Sequence, residues 1–185
     1  MTAQRPAFFL HAETPADVTA VDALTHAAFE QQPHSRQTEG EIIRRLRDAG
    51  ALTLSLVARA GAPASPGSLV GQITFSPVAI SGDAPSWYGL GPLSVVPAWQ
   101  GVGVGSTLVS QGLRAMRQLG AAGCVVLGEP AYYGRFGFRS TPALTLHGAP
   151  AGCFLVRPFA PIVPMGEVTL HPAFDLLEPT DWTFP

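Results

Sequence analysis

The chain has 185 residues, 46% hydrophobic and 13% charged, with a net charge of −2. That balance argues against disorder and describes one domain that buries close to about 70% of its unfolded surface without a disulfide or a metal. All 11 cations are arginines spread along the sequence, so no basic field is expected and nucleic acid is excluded as a partner.

The two cysteines, Cys124 and Cys153, sit in apolar runs and read as small buried hydrophobes, not catalytic thiols. The N-terminal run Ala7-Phe8-Phe9-Leu10 is too short for a signal-peptide core and is interrupted by His11 and Glu13. No stretch approaches the roughly 18 apolar residues of a membrane span. A cytoplasmic protein with no membrane partner is expected.

In chain order, a first short strand is expected at residues 7–11. Thr14 followed by Pro15, with Asp17 in the first turn, marks a helix start, and Val18, Val21 and Leu24 give that helix one apolar face to about Glu30. Residues 31–37 are polar and broken by Pro33. Thr38 with Glu41 three positions later reads as a capping box, opening a helix with Ile42, Ile43 and Leu46 inside and Arg44, Arg45 and Arg47 on a solvated face, closed by Gly50. From Leu52 the period becomes two, predicting half-buried strands at residues 52–59 and 69–76, joined by a flexible loop at 61–67. A turn follows at residues 81–85, then a strand over residues 87–96.

That strand delivers Gln100-Gly101-Val102-Gly103-Val104-Gly105-Ser106, followed by a helical stripe of Leu108, Val109, Leu113, Met116 and Leu119 with Arg114, Arg117 and Gln118 opposite. Glycines between a strand and a helix start let backbone N–H groups approach an anion, with the positive end of the helix dipole behind them. A phosphate-bearing ligand is therefore expected. A Walker A loop requires a lysine and the chain has none. The dinucleotide pattern GxGxxG begins at Gly101 and Gly103 but meets Ser106 at its third glycine, which leaves it open only through Glu129 as a ribose partner. Gln-x-x-Gly-x-Gly fits at Gln100, Gly103 and Gly105.

After the helix, Cys124-Val125-Val126-Leu127 is wholly apolar, as for a strand covered on both faces after a crossover. It leads to Tyr132-Tyr133-Gly134-Arg135-Phe136-Gly137-Phe138. Residues 154–159 and 168–171 read as two last strands around a turn at Pro161 and Pro164. The tail over residues 172–185, with Phe174, Trp182 and Phe184, is expected to dock on the domain of residues 1–171, pairing with a second copy in a homodimer being the alternative.

With Leu93-Ser94-Val95 before the glycine loop and the aromatic segment after it, residues 7–171 resemble the GNAT superfamily of N-acetyltransferases. The resemblance implies a mixed α/β (α+β) fold: a central, mostly antiparallel sheet with one parallel βαβ crossover and helices on both faces. It implies acetyl-coenzyme A as co-substrate, its pyrophosphate on Gln100, Gly101, Val102, Gly103, Val104, Gly105 and Ser106, and its pantetheine arm on freed backbone at Leu93, Ser94 and Val95, with the Val95 N–H near the thioester oxygen. Tyr133, four residues before Gly137, matches the family's acid for the departing thiolate, and Tyr132 its packing aromatic. The link at residues 127–131 lacks the asparagine many relatives carry.

The acceptor is expected to be a primary amine on a small molecule or a peptide, acetylated by direct transfer, with Glu129, Glu30, Glu39 and Glu41 as candidate bases. The five histidines show no metal-ligand spacing and no serine stands in a Gly-x-Ser-x-Gly elbow. The rival functions are a non-catalytic acyl-coenzyme A binder that acts as a sensor, and a dinucleotide-binding protein.

Overall fold

Thr14 opens the first helical segment as its sequence predicts. Its N–H and hydroxyl both donate to the Asp17 carboxylate, and Pro15 starts a 3₁₀ turn, Pro15–Asp17, that runs into α1 (Val18–Phe29). The computed structural model describes residues 6–30, 37–82 and 84–176. The polar break at 31–36, Asp83 of the expected turn and the tail from 177, with Trp182 and Phe184, lie outside the described residues.

The chain begins with β1 (Phe8–Ala12) and α1, followed by α2 (Glu39–Asp48), β2 (Leu54–Ala62), β3 (Ser65–Pro77), β4 (Ala79–Ile80) and β5 (Trp87–Val95). It continues with α3 (Val104–Gln118), β6 (Gly123–Leu127), α4 (Pro130–Tyr133), β7 (Leu144–Leu146), β8 (Phe154–Pro158) and β9 (Gly166–Thr169). Six strands form the main sheet in the order β1-β2-β3-β5-β6-β8. Every neighbouring pair is antiparallel except β5 and β6, which α3 joins as a helical crossover.

One face of this sheet is covered by α3. Leu108, Val109 and Met116 are buried there with Ile73 and Phe75, and Gly112 is required because a Cβ on it would stand 2.5 Å from Phe75 Cε2. On the other face, Val21 and Leu24 of α1 and Ile43 of α2 pack on Val57 and Leu69. Helices on both faces therefore bury β3 continuously from Leu69 to Ser76. The polar half of its alternation, Gln72, Thr74 and Ser76, is enclosed rather than solvated. Thr74 Oγ1 donates to the Gly91 carbonyl at 2.6 Å, while the Gln72 amide and the Ser76 hydroxyl have no hydrogen-bond partner among the described residues.

Several expectations are corrected. The loop at residues 61–67 is mostly paired strand, with Gly61 opposite Pro66 and Ala62 opposite Ser65, so only Pro63 and Ala64 turn. The Thr38 capping box does not form: Glu41 is drawn to Arg44 and Arg45, and the buried Thr38 hydroxyl has no partner among the described residues. Leu119 is 62% exposed, since the helix caps there and turns its side chain outward. A second sheet, β4-β9-β7, was not anticipated. The last expected strand, placed at 168–171, belongs to it as β9, and β9 runs parallel to β7. The tail docks as far as it is described: Pro172–Leu176 is a 3₁₀ turn whose Ala173 is buried with Ile42 and Leu46 of α2.

Candidate active site

The geometry starts at β5, which has two neighbours at its beginning and one at its end. It pairs with β6 only from Trp87 to Gly89 but with β3 as far as Val95, so the two parallel strands part beyond Gly89. The Val96 N–H donates to the Val70 carbonyl of β3 at 3.1 Å. Alternate residues send their backbone groups to opposite edges, so those of Leu93 and Val95 face the parting. Gln100 Nε2 donates to the Val95 carbonyl at 3.0 Å, which locates that oxygen outside the β3 ladder and leaves the Val95 N–H directed at the gap. Ser94 differs. It pairs with Gln72, and its buried hydroxyl meets Thr25 of α1 at 3.4 Å, on the face away from α3.

A 3₁₀ turn, Pro97–Trp99, links β5 to the glycine loop. Gly101 and Gly103 both have left-handed φ, 74° and 102°, and Gly103 is the residue before the first turn of α3. The Thr107 N–H closes the first turn on the Gly103 carbonyl at 3.0 Å. The N–H groups of Val104, Gly105 and Ser106 therefore precede any intrahelical partner and form an anion-ready helix start. Val104 itself is a core residue, and Gln100 turns its amide back to β5 instead of toward the loop's open side. Gly105 is small for a different reason: a Cβ there would lie 2.9 Å from the Tyr132 hydroxyl and 3.6 Å from Val95 Cγ2.

The aromatic segment closes the other side. Gly128 is occupied sterically by the Tyr133 ring, which also packs edge-on to Phe138 with centroids 5.8 Å apart. Burial pushes the Tyr133 phenol well above its usual value, and the neighbouring Tyr132 adds to the rise. Among the described residues its hydroxyl has no hydrogen-bond partner. Tyr132 is more than the packing ring its sequence position implied. Its hydroxyl reaches the first turn of α3, 2.9 Å from where a Cβ on Gly105 would stand, and burial raises its phenol while Ser106 and Arg135 pull the other way.

Tyr133 opens into a cavity of about 400 Å³ that occupies the parting of β5 and β6 and is walled mainly by apolar side chains, Leu90, Val126 and Phe154 among them. Two of the four candidate carboxylates reach it, Glu39 from the start of α2 and Glu129 from the link before α4. Glu129 also caps α4, accepting from the Ala131 N–H at 3.1 Å. Glu30 is exposed at the end of α1, and Glu41 is held by Arg44 and Arg45. Phe174, from the tail, lines the same cavity, a contribution no motif announces. A smaller hollow of about 260 Å³ between α1 and α2 shares Glu39 and adds Asp22 and His26.

Neither thiol is activated. Burial pushes Cys124 up to about 12, and burial with the charge of Glu129 raises Cys153. The dinucleotide alternative falls with the topology, because a doubly wound fold needs several consecutive parallel units and the main sheet has one parallel pair. Among the described residues no helix is long and apolar enough to cross a membrane.

Comparison with known proteins agrees with this architecture. Residues 19–138 match the model of the Acetyltransferase (GNAT) family. The chain is 37% identical over 129 residues, covering 70% of itself and 72% of the relative, to the uncharacterized N-acetyltransferase YhbS of Escherichia coli (strain K12). Among solved structures it resembles a GNAT family acetyltransferase from Brucella melitensis in complex with acetyl-CoA, with a TM-score of 0.80 and 44% identity over 91% of this chain and 99% of that one. It also resembles Escherichia coli YhbS in complex with CoA, with a TM-score of 0.79 and 32% identity over 95% and 96% of the two chains.

Proposed function

Because the chain belongs to the GNAT acetyltransferase family, we propose that it carries acetyl from acetyl-coenzyme A directly to a primary amine in the cavity between β5 and β6. Solved relatives hold acetyl-CoA and CoA, and the glycine loop of this chain offers the open N–H groups of Val104, Gly105 and Ser106 to the pyrophosphate. The pantetheine arm runs along the backbone of Leu93 and Val95. The acetyltransferase unit spans residues 1–171, wider than the matched region, since β1 and β8 at either edge complete the main sheet.

The observation that carries the reading is the meeting of Tyr133 with Glu39 and Glu129 in one apolar cavity beside the glycine loop. The amine nitrogen attacks the thioester carbonyl and the Val95 N–H stabilises the oxyanion. The ammonium proton passes to a carboxylate of the cavity wall. Collapse of the intermediate breaks the C–S bond, and the thiolate takes its proton from Tyr133. Direct transfer is favoured over an acyl-enzyme because both thiols are raised, not lowered, by their surroundings.

A panel of small-molecule amines, aminoglycosides and peptides, with acetyl-coenzyme A consumption and the acetylated amine followed together, tests the proposal. Turnover of at least one amine, reduced by about 10²-fold in Glu39→Gln or Glu129→Gln, is expected. Tight binding of acetyl-coenzyme A without transfer to any amine would favour the sensor.

A further inference from the structure

The arginines are not evenly spread once the chain is folded. Residues 84–166 contain five of them, Arg114, Arg117, Arg135, Arg139 and Arg157, and a single carboxylate, Glu129. All five line one cleft of about 550 Å³ between α3, the turn after α4 and β8. Glu129 is not part of that lining, and among the described residues none of the five forms an ion pair.

These side chains are held without being neutralised. The Arg135 guanidinium lies 4.6 Å from the Tyr132 ring centroid, and its Nε donates to the Tyr132 carbonyl at 3.2 Å. Arg117 lies 4.9 Å over the Phe159 ring. Arg157 Nη1 donates to the Phe136 carbonyl at 2.5 Å. Gly137, with φ +80°, makes room for that guanidinium, which any Cβ at this position would strike. A solvated helix face accounts for Arg114 and Arg117 alone. It gives no reason to pass a half-buried strand arginine through a gap only glycine leaves open. Neutral partners fix three of the five charges in place while the mutual repulsion of all five goes uncompensated, the arrangement of a site that awaits an anion.

We propose that this cleft is a second phosphate site, separate from the glycine loop, that binds a phosphomonoester dianion. Its volume falls within the range of small-molecule sites, about 300–1,000 Å³. It adjoins the glycine loop through Arg135 stacked on Tyr132, whose hydroxyl stands 2.9 Å from where a Cβ on Gly105 would lie. Two sources present this chemistry: the ribose phosphate of coenzyme A, an arm that rests on the cofactor reading above, and a separate phosphorylated molecule.

Calorimetry with coenzyme A and dephospho-coenzyme A on the wild type, Arg157→Gln and the exposed pair Arg114→Gln/Arg117→Gln distinguishes them, followed by inorganic phosphate titrated onto protein saturated with dephospho-coenzyme A. If the cofactor is the source, coenzyme A binds the wild type about 10-fold or more tightly than the dephospho form. That ratio then falls toward one in the variants while dephospho-coenzyme A affinity holds. If a separate molecule is the source, the two cofactors bind alike and inorganic phosphate binds the wild type but not the variants. Equal cofactor affinities with no phosphate binding overturn the proposal. The paired variant, with both changes on the exposed face of α3, keeps the test valid should Arg157→Gln fail to fold. Failure of the wild type to bind either cofactor, while inorganic phosphate titrated onto the free protein binds it and not the variants, would support the cleft and count against the glycine-loop reading alone.

Discussion

Removing the hydroxyl of Tyr133 separates its chemistry from its packing. The ring fills the space beside Gly128 and packs on Phe138, and Tyr133→Phe keeps both contacts. The hydroxyl has no hydrogen-bond partner among the described residues, so stability should change by no more than about 0.5 kcal/mol. Catalysis should fall, by an amount the environment of the phenol limits. An ordinary phenol, near about 10, already lies roughly 1.5 units above a thiol, and burial raises Tyr133 further. Each unit adds about 1.4 kcal/mol against proton transfer to the thiolate. The shared apolar cavity raises the thiol as well, but the phenol acts largely by donating a hydrogen bond to the developing charge. The expected loss in kcat is therefore about 10-fold to 10²-fold, at or below the lower end of the usual range for acid catalysis, with coenzyme A affinity unchanged.

The same shift sets the pH dependence. The acid must be protonated, and a raised phenol stays protonated up to and beyond about pH 10, so no alkaline decline assignable to Tyr133 should appear below that pH. Initial rates with a turned-over amine across pH, alongside thermal melts, give both quantities. Wild-type kcat in a folded Tyr133→Phe protein would reduce Tyr133 to a packing ring.

Gly105→Ala places a methyl 2.9 Å from the Tyr132 hydroxyl. The helix-favouring gain of about 0.5–1 kcal/mol from glycine to alanine is outweighed by crowding of about 1–3 kcal/mol, so the melting midpoint should fall, by up to about 10 °C, while calorimetry reads coenzyme A affinity down by about 10-fold. Gly103 is a less clean probe, since its left-handed φ adds a backbone cost of about 1–2 kcal/mol. Tyr132→Phe, which removes the hydroxyl at the first turn of α3, should weaken coenzyme A by about 2-fold to 10-fold in the same titration and leave kcat within about 2-fold. Away from the site, burial works to raise the Asp17 carboxyl, but hydrogen bonds from Thr14 and Arg59, together with His11, outweigh it and hold it below its usual value. The stabilisation from Asp17 is thus full above about pH 4 and lost as pH falls through its lower folded value. Denaturant melts should find Asp17→Asn about 1–3 kcal/mol less stable at pH 7, with the gap to wild type closing in acid.

The glycine loop was legible in the sequence because its left-handed turns at Gly101 and Gly103 depend on the absence of side chains, and glycine is visible in letters. The strand, loop, helix and strand around it were legible from the change of period. What escaped depends on direction. The Gln100 amide fits the loop pattern yet bonds the Val95 carbonyl, and Ser94 turns its backbone to Gln72 and its hydroxyl to Thr25. The Tyr132 hydroxyl reaches the first turn of α3 only because the chain returns beside that helix. Strands of two to four residues, β4, β7 and β9, carry no period to read, so the second sheet was lost. Gly112, a glycine inside a helix, gave a signal that could have been used, and Gly137, read only as part of the aromatic motif, carried a second one. Their reasons, Phe75 and Arg157, are tertiary. The arginine cleft was hidden because residues 114 to 157 converge only in the fold.

Direct transfer is tested most sharply by a single turnover. Protein in excess over acetyl-coenzyme A is mixed with a turned-over amine and quenched at successive times, and the intact protein, free thiol and acetylated amine are quantified by mass spectrometry. The account predicts that free thiol and acetylated amine rise together in equal amounts, with no acetylated protein at any time. Acetylated protein that forms before the product and decays into it would contradict the account.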